Sequence, residues 1–125
     1  MASAPLPKPR GPYSPFVRAG DLIFVSGQGP YDPATDQLSL GDVGHETSMV
    51  LENIRRILAQ AGATPADVVK CSVFLTNIQD FAAMNEAYAA FFGETRPART
   101  TVEVSKLPGR DMKIEIDCIA YKPVR

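Results

Sequence analysis

Two kinds of hydrophobic pattern alternate along the chain. The strand-like runs FVRA and LIFVSG flank Ala19-Gly20-Asp21, a turn signal, and predict a hairpin that ends in a glycine-rich bend. The stretch YDPATDQLSLGD is rich in turn formers and predicts a connection with at most a minor strand. In HETSMVLENIRRILAQAG the apolar positions Val50, Leu51, Ile54, Ile57, Leu58 and Ala61 recur with the spacing of one helix face, and Gly62 suits its stop. Val68 to Leu75 is a half-alternating β-branched run after Pro65 and predicts a central strand. DFAAMNEAYAAFFG returns to helical spacing, with Phe81, Met84, Tyr88 and Phe91 on one side, Asp80 placed to cap the start and Gly93 the end. Two more strands, TTVEV and MKIEIDCIAY, are joined by SKLPGRD, whose Pro-Gly marks a turn.

The order strand, strand, helix, strand, helix, strand, strand predicts an α+β domain with both helices on one face of a mixed sheet. In the last strand, Ile114, Ile116, Cys118 and Ala120 point to one side, under the helices, and Lys113, Glu115, Asp117, Ile119 and Tyr121 to the other. In the strand before it, Thr100, Val102 and Val104 alternate with Arg99, Thr101 and Glu103. If these two strands pair as a hairpin, Arg99, Thr101, Glu115 and Asp117 share one surface. Such a surface is either a wetted sheet face with weak cross-strand pairs or a binding site. Two features favour a site. Arg99 follows a proline and carries a planar fork suited to bidentate capture of a carboxylate. Glu115 lies between isoleucines, where desolvation raises a carboxyl toward a working acid or base.

Composition narrows the partners. The chain has 125 residues, 45% of them hydrophobic and 22% charged, which suits one domain over 1–125. A formal charge of −1 with interspersed signs offers no basic stripe, so neither nucleic acid nor membrane is expected as a partner. The opening MASAPLPKPR has three prolines and no apolar run, so no secretory leader is expected and a cytoplasmic location is. Cys71 and Cys118 lie in apolar strand patterns and read as core filler in preference to a redox pair. With one histidine and two distant cysteines, no metal cluster is expected. That histidine, His45, falls at a helix start and reads as structural.

The segments GPYSPFVRAGDLIFVSGQGP, VVKCSVFLTNIQDFAAMNEAYAAFF, RPARTTVEVSKLP and KIEIDCIA occur in the order of the signature segments of the RidA/YjgF family of imine and enamine deaminases, also known as endoribonuclease L-PSP-like, which the chain resembles over nearly its whole length. The resemblance implies a chorismate-mutase-like α+β fold in a homotrimer, with the sheets facing inward and sites in the clefts between subunits. It implies that Arg99 anchors the substrate carboxylate and that Glu115 activates water and shuttles protons. Tyr13, Ser26, Gly27 and Asn85 match the remaining pocket positions, and Thr101 is expected to help hold a carboxylate oxygen through its backbone or hydroxyl. Thr101 stands where many members carry cysteine, and Pro15 replaces the common glutamine after GPYS, which bears on substrate preference.

The implied reaction is hydrolysis of 2-imino acids or their enamine tautomers, such as 2-aminoacrylate, 2-iminopropanoate and 2-iminobutanoate, to 2-keto acids and ammonia, with no cofactor. A dedicated catabolic deamination of the 2-aminomuconate type, a ribonuclease or translation inhibitor, and a non-enzymatic small-molecule-binding trimer are the alternatives. The lack of a basic groove or stacking stripe argues against the ribonuclease.

Overall fold

The computed structural model describes residues 6–124; the part of the leader reading that rests on residues 1–5 lies outside them. The described residues form β1 (Phe16–Ala19), β2 (Leu22–Gln28), β3 (Tyr31–Asp32), β4 (Gln37–Leu38), α1 (Val43–Gln60), β5 (Val68–Leu75), α2 (Phe81–Phe92), β6 (Ala98–Glu103) and β7 (Ile114–Tyr121). The main sheet has the order β1-β2-β7-β5-β6, and β3 and β4 make the small hairpin that the turn-rich stretch only hinted at.

The α+β expectation, with both helices against one sheet face, holds. Helix α1 starts at Val43, two residues before His45, because the Asp42 carboxylate accepts the His45 backbone N–H at 2.8 Å. It stops where Gly62 takes a φ of 85°. Val50, Leu51, Ile54, Ile57 and Leu58 lose all solvent contact, and the helix packs on β2 and β7. Each such side chain contributes about 1.5–3 kcal/mol of burial. On α2 the covered face is Met84, Tyr88 and Phe92, while Phe81 stays exposed and Phe91 only partly packs, a rotation of the apolar stripe from the expected one. Asp80 makes no side-chain cap. Asn77 instead accepts the Gln79 N–H in a 3-10 turn that leads into α2.

The expected hairpin of the last two strands does not form. β6 pairs with β5 in parallel, and β5 pairs with β7 antiparallel, so β5 separates the two strands that were expected to be neighbours. Helix α2 supplies the long crossover that a parallel β5–β6 pair requires, and residues 104–113 then carry the chain past the end of β5.

Register settles the faces. Arg99 aligns with Cys71, and Cys71 with Cys118, so all three project to the helix side; Thr101, level with Val73 and Ile116, does the same. Glu115 and Asp117 alternate with buried Ile116 and point to the open side, with Phe74 and Ser72 as their β5 neighbours. Arg99 and Thr101 therefore lie on the opposite sheet face from Glu115 and Asp117. The shared surface expected from polarity does not exist within the chain. Much of the open face is apolar, with Val17 55%, Phe24 41% and Val102 40% exposed.

Candidate functional site

Glu115 sits in a cleft of about 210 Å³ that it shares with Arg10, Tyr13, Gly27, Tyr31 and Met112. A bulge in β2 makes room for it. Val25 pairs with Cys118 and Gln28 with Ile116, so Ser26 and Gly27 together oppose the single residue Asp117. A β-carbon at position 27 would lie 2.9 Å from Glu115 Cδ and closer still to Oε2, so only glycine lets the carboxyl lie here. Burial pushes the Glu115 carboxyl above its ordinary value, and the Asp117 charge adds to the push. Burial also raises Asp117, partly offset by Ser72 and Lys70; Arg99, on the other face, is not its partner.

The bulge also positions the N-terminal arm of the cleft. Ser26 donates through its hydroxyl to the Ser14 carbonyl at 2.6 Å and through its N–H to the Pro15 carbonyl at 3.0 Å. Tyr13 is thereby held at the cleft, its hydroxyl accepting the Arg10 N–H at 3.0 Å. Glu46, wholly buried on α1, fixes the other wall. Its carboxylate accepts the Lys113 N–H at 2.7 Å and the Gly41 N–H at 3.2 Å, with Lys113 Nζ at 3.3 Å. This pins the chain two residues before Glu115.

Arg99 occupies a different cavity, of about 300 Å³, lined by Asn85, Tyr88, Ala89, Arg96, Pro97 and Arg99 itself. Its guanidinium lies 4.7 Å from the Tyr88 ring centre and 5.5 Å from that of Phe81, and Nη1 donates to Met84 Sδ at 3.7 Å. Cation–π contact and a thioether hold the group in place without neutralising it. Among the described residues no carboxylate pairs with Arg99. The Tyr88 hydroxyl beside it is buried and, among the described residues, has no hydrogen-bond partner of good geometry, its polar neighbour being the Cys71 thiol.

The fold thus divides the sequence-derived site residues into two sets. Tyr13, Gly27 and Glu115 meet in one cleft with Ser26 bracing it, and Asn85 meets Arg99 in the other with Thr101 two residues along the same strand face. Arg10, Tyr31 and Glu46 were not expected at the first set, nor Met84 and Tyr88 as the cradle of the arginine. Met84 and Tyr88 were legible as apolar helix positions, but nothing in the spacing tied them to Arg99. Cys71 and Cys118 are free, buried cross-strand neighbours whose thiols burial pushes up, as core filler behaves. His45 contacts Ser39 at 2.9 Å, away from both clefts.

The sequence model of the family described as Endoribonuclease L-PSP matches residues 2–122. The chain belongs to the L-PSP family. Within this family, RutC family protein of Pyrococcus abyssi is 53% identical over 116 residues, covering 93% of this chain and 91% of its own. A candidate endoribonuclease of Thermotoga maritima has a solved structure that superposes with a TM-score of 0.90 at 46% identity, covering 95% of this chain and 93% of that one. TdcF of Escherichia coli, described as a candidate reactive intermediate deaminase, is 41% identical over 115 residues, covering 90% of this chain and 88% of its own. Its crystal structure with bound serine superposes with a TM-score of 0.87, covering 94% of this chain and 93% of that one. The L-PSP family is the RidA/YjgF family that the sequence motifs resemble.

Proposed function

We propose that this protein hydrolyses reactive 2-imino acids and their enamine tautomers to 2-oxo acids and ammonia in the cytosol, at sites each built by two copies of the chain. One observation carries the reading: an arginine that has no acidic partner among the described residues and a carboxyl raised by burial lie on opposite faces of one sheet. Neither half can process an imino acid alone. Packed against a second copy, Arg99 of one protomer meets Glu115 of its neighbour, and the exposed apolar side chains of the open face become covered, as in a homotrimer.

The chemistry divides between the halves. Arg99 takes the substrate carboxylate through its two parallel N–H groups, with Asn85 and Thr101 beside it, and so fixes C2. Glu115 accepts a proton from water as the oxygen bonds to C2 and returns it to the nitrogen, giving a carbinolamine. It then takes the proton of the C2 hydroxyl and passes it to the amino group, so that ammonia leaves as the C2 carbonyl forms. One imine and one water become one 2-oxo acid and one ammonia. No electrons are transferred, so the reaction calls for no redox cofactor. A raised carboxyl suits both proton transfers because it binds and releases a proton nearer neutrality. Preferred side chains among 2-iminopropanoate, 2-iminobutanoate and larger imines follow from the cleft around Glu115. The bound serine of TdcF supports an amino-acid-sized ligand.

The test couples an amino-acid oxidase or threonine dehydratase to the protein and follows imine decay for the wild type, Arg99→Ala and Glu115→Gln. Faster decay with the wild type alone is expected. Equal decay with all three, or with none present, would overturn the reading.

A further inference from the structure

The cleft that holds Glu115 carries more positive charge than a monocarboxylate needs. Lys8 and Arg10 both line it, and among the described residues Glu115 is the one acidic side chain in its lining. Arg10 is held on two sides: its guanidinium lies 3.9 Å over the Tyr31 ring, and Nη2 donates to Asp36 Oδ1 at 2.6 Å and to the Asp36 carbonyl at 3.3 Å. Among the described residues, its Nε and Nη1 have no acceptor. A guanidinium fixed in this way presents its remaining donors at little further entropic cost. Prolines at 7, 9, 15 and 108 and the side chain of Met112 form much of the remaining wall, and the other polar side chains of the lining, Tyr13, Gln28 and Tyr31, are uncharged amides or phenols. Lys8 and the free donors of Arg10 are therefore the cationic groups that face an anion there.

In the reading above, on which this inference rests, Arg99 of one copy holds the substrate's 1-carboxylate and Glu115 of the other addresses C2. The substituent on C2 is then left to the cleft. We infer that the cleft selects 2-imino acids whose side chain ends in a second carboxylate, with Arg10 as the specificity-determining residue and Lys8 beside it. An apolar side chain leaves the donors of Arg10 to water. A terminal carboxylate takes them in charge-assisted hydrogen bonds.

Asp36 makes the test directional. It competes for the same guanidinium, and its φ of 60° is one that asparagine accepts, so Asp36→Asn keeps the turn while freeing Arg10 from its counter-charge. The imines are generated in place by amino-acid oxidases, with catalase, from glutamate and from 2-aminobutyrate, and kcat/KM is compared as a ratio, dicarboxylate over monocarboxylate. We expect a ratio of about tenfold for the wild type, the scale of one charge-assisted contact. The ratio falls toward one in Arg10→Leu, stays partly preserved in Arg10→Lys, and rises above the wild type in Asp36→Asn. If the Arg10–Asp36 pair only braced the fold, both partners' variants would move the ratio the same way or not at all, which overturns the inference. A wild-type ratio near one, with both imines turned over, overturns it as well and leaves the deaminase reading intact. Absence of turnover on both imines overturns the deaminase reading; the same proteins are then compared by calorimetry for binding of 2-oxoglutarate and 2-oxobutanoate, where equal affinities overturn the selectivity too.

Discussion

Gly27→Ala tests whether the β2 bulge exists to seat Glu115. The added methyl would meet Glu115 Cδ at 2.9 Å and Oε2 closer still, whereas ordinary contact begins at 3.4 Å. The carboxyl must retreat by about 1 Å, a displacement that costs on the order of 10²-fold when a reacting group is moved from its productive geometry. The obstacle is the far end of a flexible side chain and not backbone, so the fold absorbs it, and a stability change of about 1 kcal/mol or less is expected. The assay is imine decay with the oxidase-coupled system, run as a double-mutant cycle with Glu115→Gln. Gly27→Ala should lower kcat/KM about 100-fold in the wild-type background and by less than about twofold once Glu115 is already glutamine. Equal losses in both backgrounds would refute the idea that position 27 acts through Glu115, and wild-type activity in the single variant would refute the geometry itself.

Further expectations follow from the same sites. Arg99→Lys keeps the charge and loses the fork, so kcat/KM for a 2-imino acid should fall by about 10- to 100-fold, read in the same assay. Asp117→Asn removes the charge that helps raise Glu115, so the acid limb of the kcat/KM–pH profile should move to lower pH. The folded state holds the Glu115 proton more tightly than the unfolded chain, so stability falls as pH rises from the ordinary carboxyl value of 4.5 through the raised one. Glu115→Gln should reduce that fall to the part due to Asp117, which burial also raises, and denaturant melts at acid and neutral pH will show it. Glu46→Ala leaves the N–H groups of Gly41 and Lys113 without their acceptor in a buried setting and should cost about 3 kcal/mol in urea unfolding.

Local signals in the sequence were sufficient for most elements. The unbroken apolar face from Val50 to Leu58 gave α1, and the β-branched run gave β5 with its observed limits, because both patterns reflect burial in one continuous layer. Pairing was not legible. Nothing local in ARTTVE or IEIDCIAY says that β5 comes between them, since strand order depends on the crossover through α2. Polarity then misled the assignment of faces. Arg99 and Thr101 were grouped with the carboxylates because they alternate with Val102, yet Val102 faces the open side, and Arg99 lies against Met84 and Tyr88 on the helix side. The family resemblance named the site residues, and the topology explains why two sets of them sit apart.

The central claim is that Arg99 and Glu115 act on one substrate from different copies of the chain, and mixing two inactive variants tests it most directly. Arg99→Ala and Glu115→Gln are unfolded together in equal amounts, refolded, and assayed for imine hydrolysis. In a closed ring assembled at random, about one site in four receives Arg99 from one copy and Glu115 from the next, so activity should recover to about a quarter of wild type. No recovery from a mixture that has reassembled into mixed oligomers would contradict the account, because it would place both residues' work within a single copy.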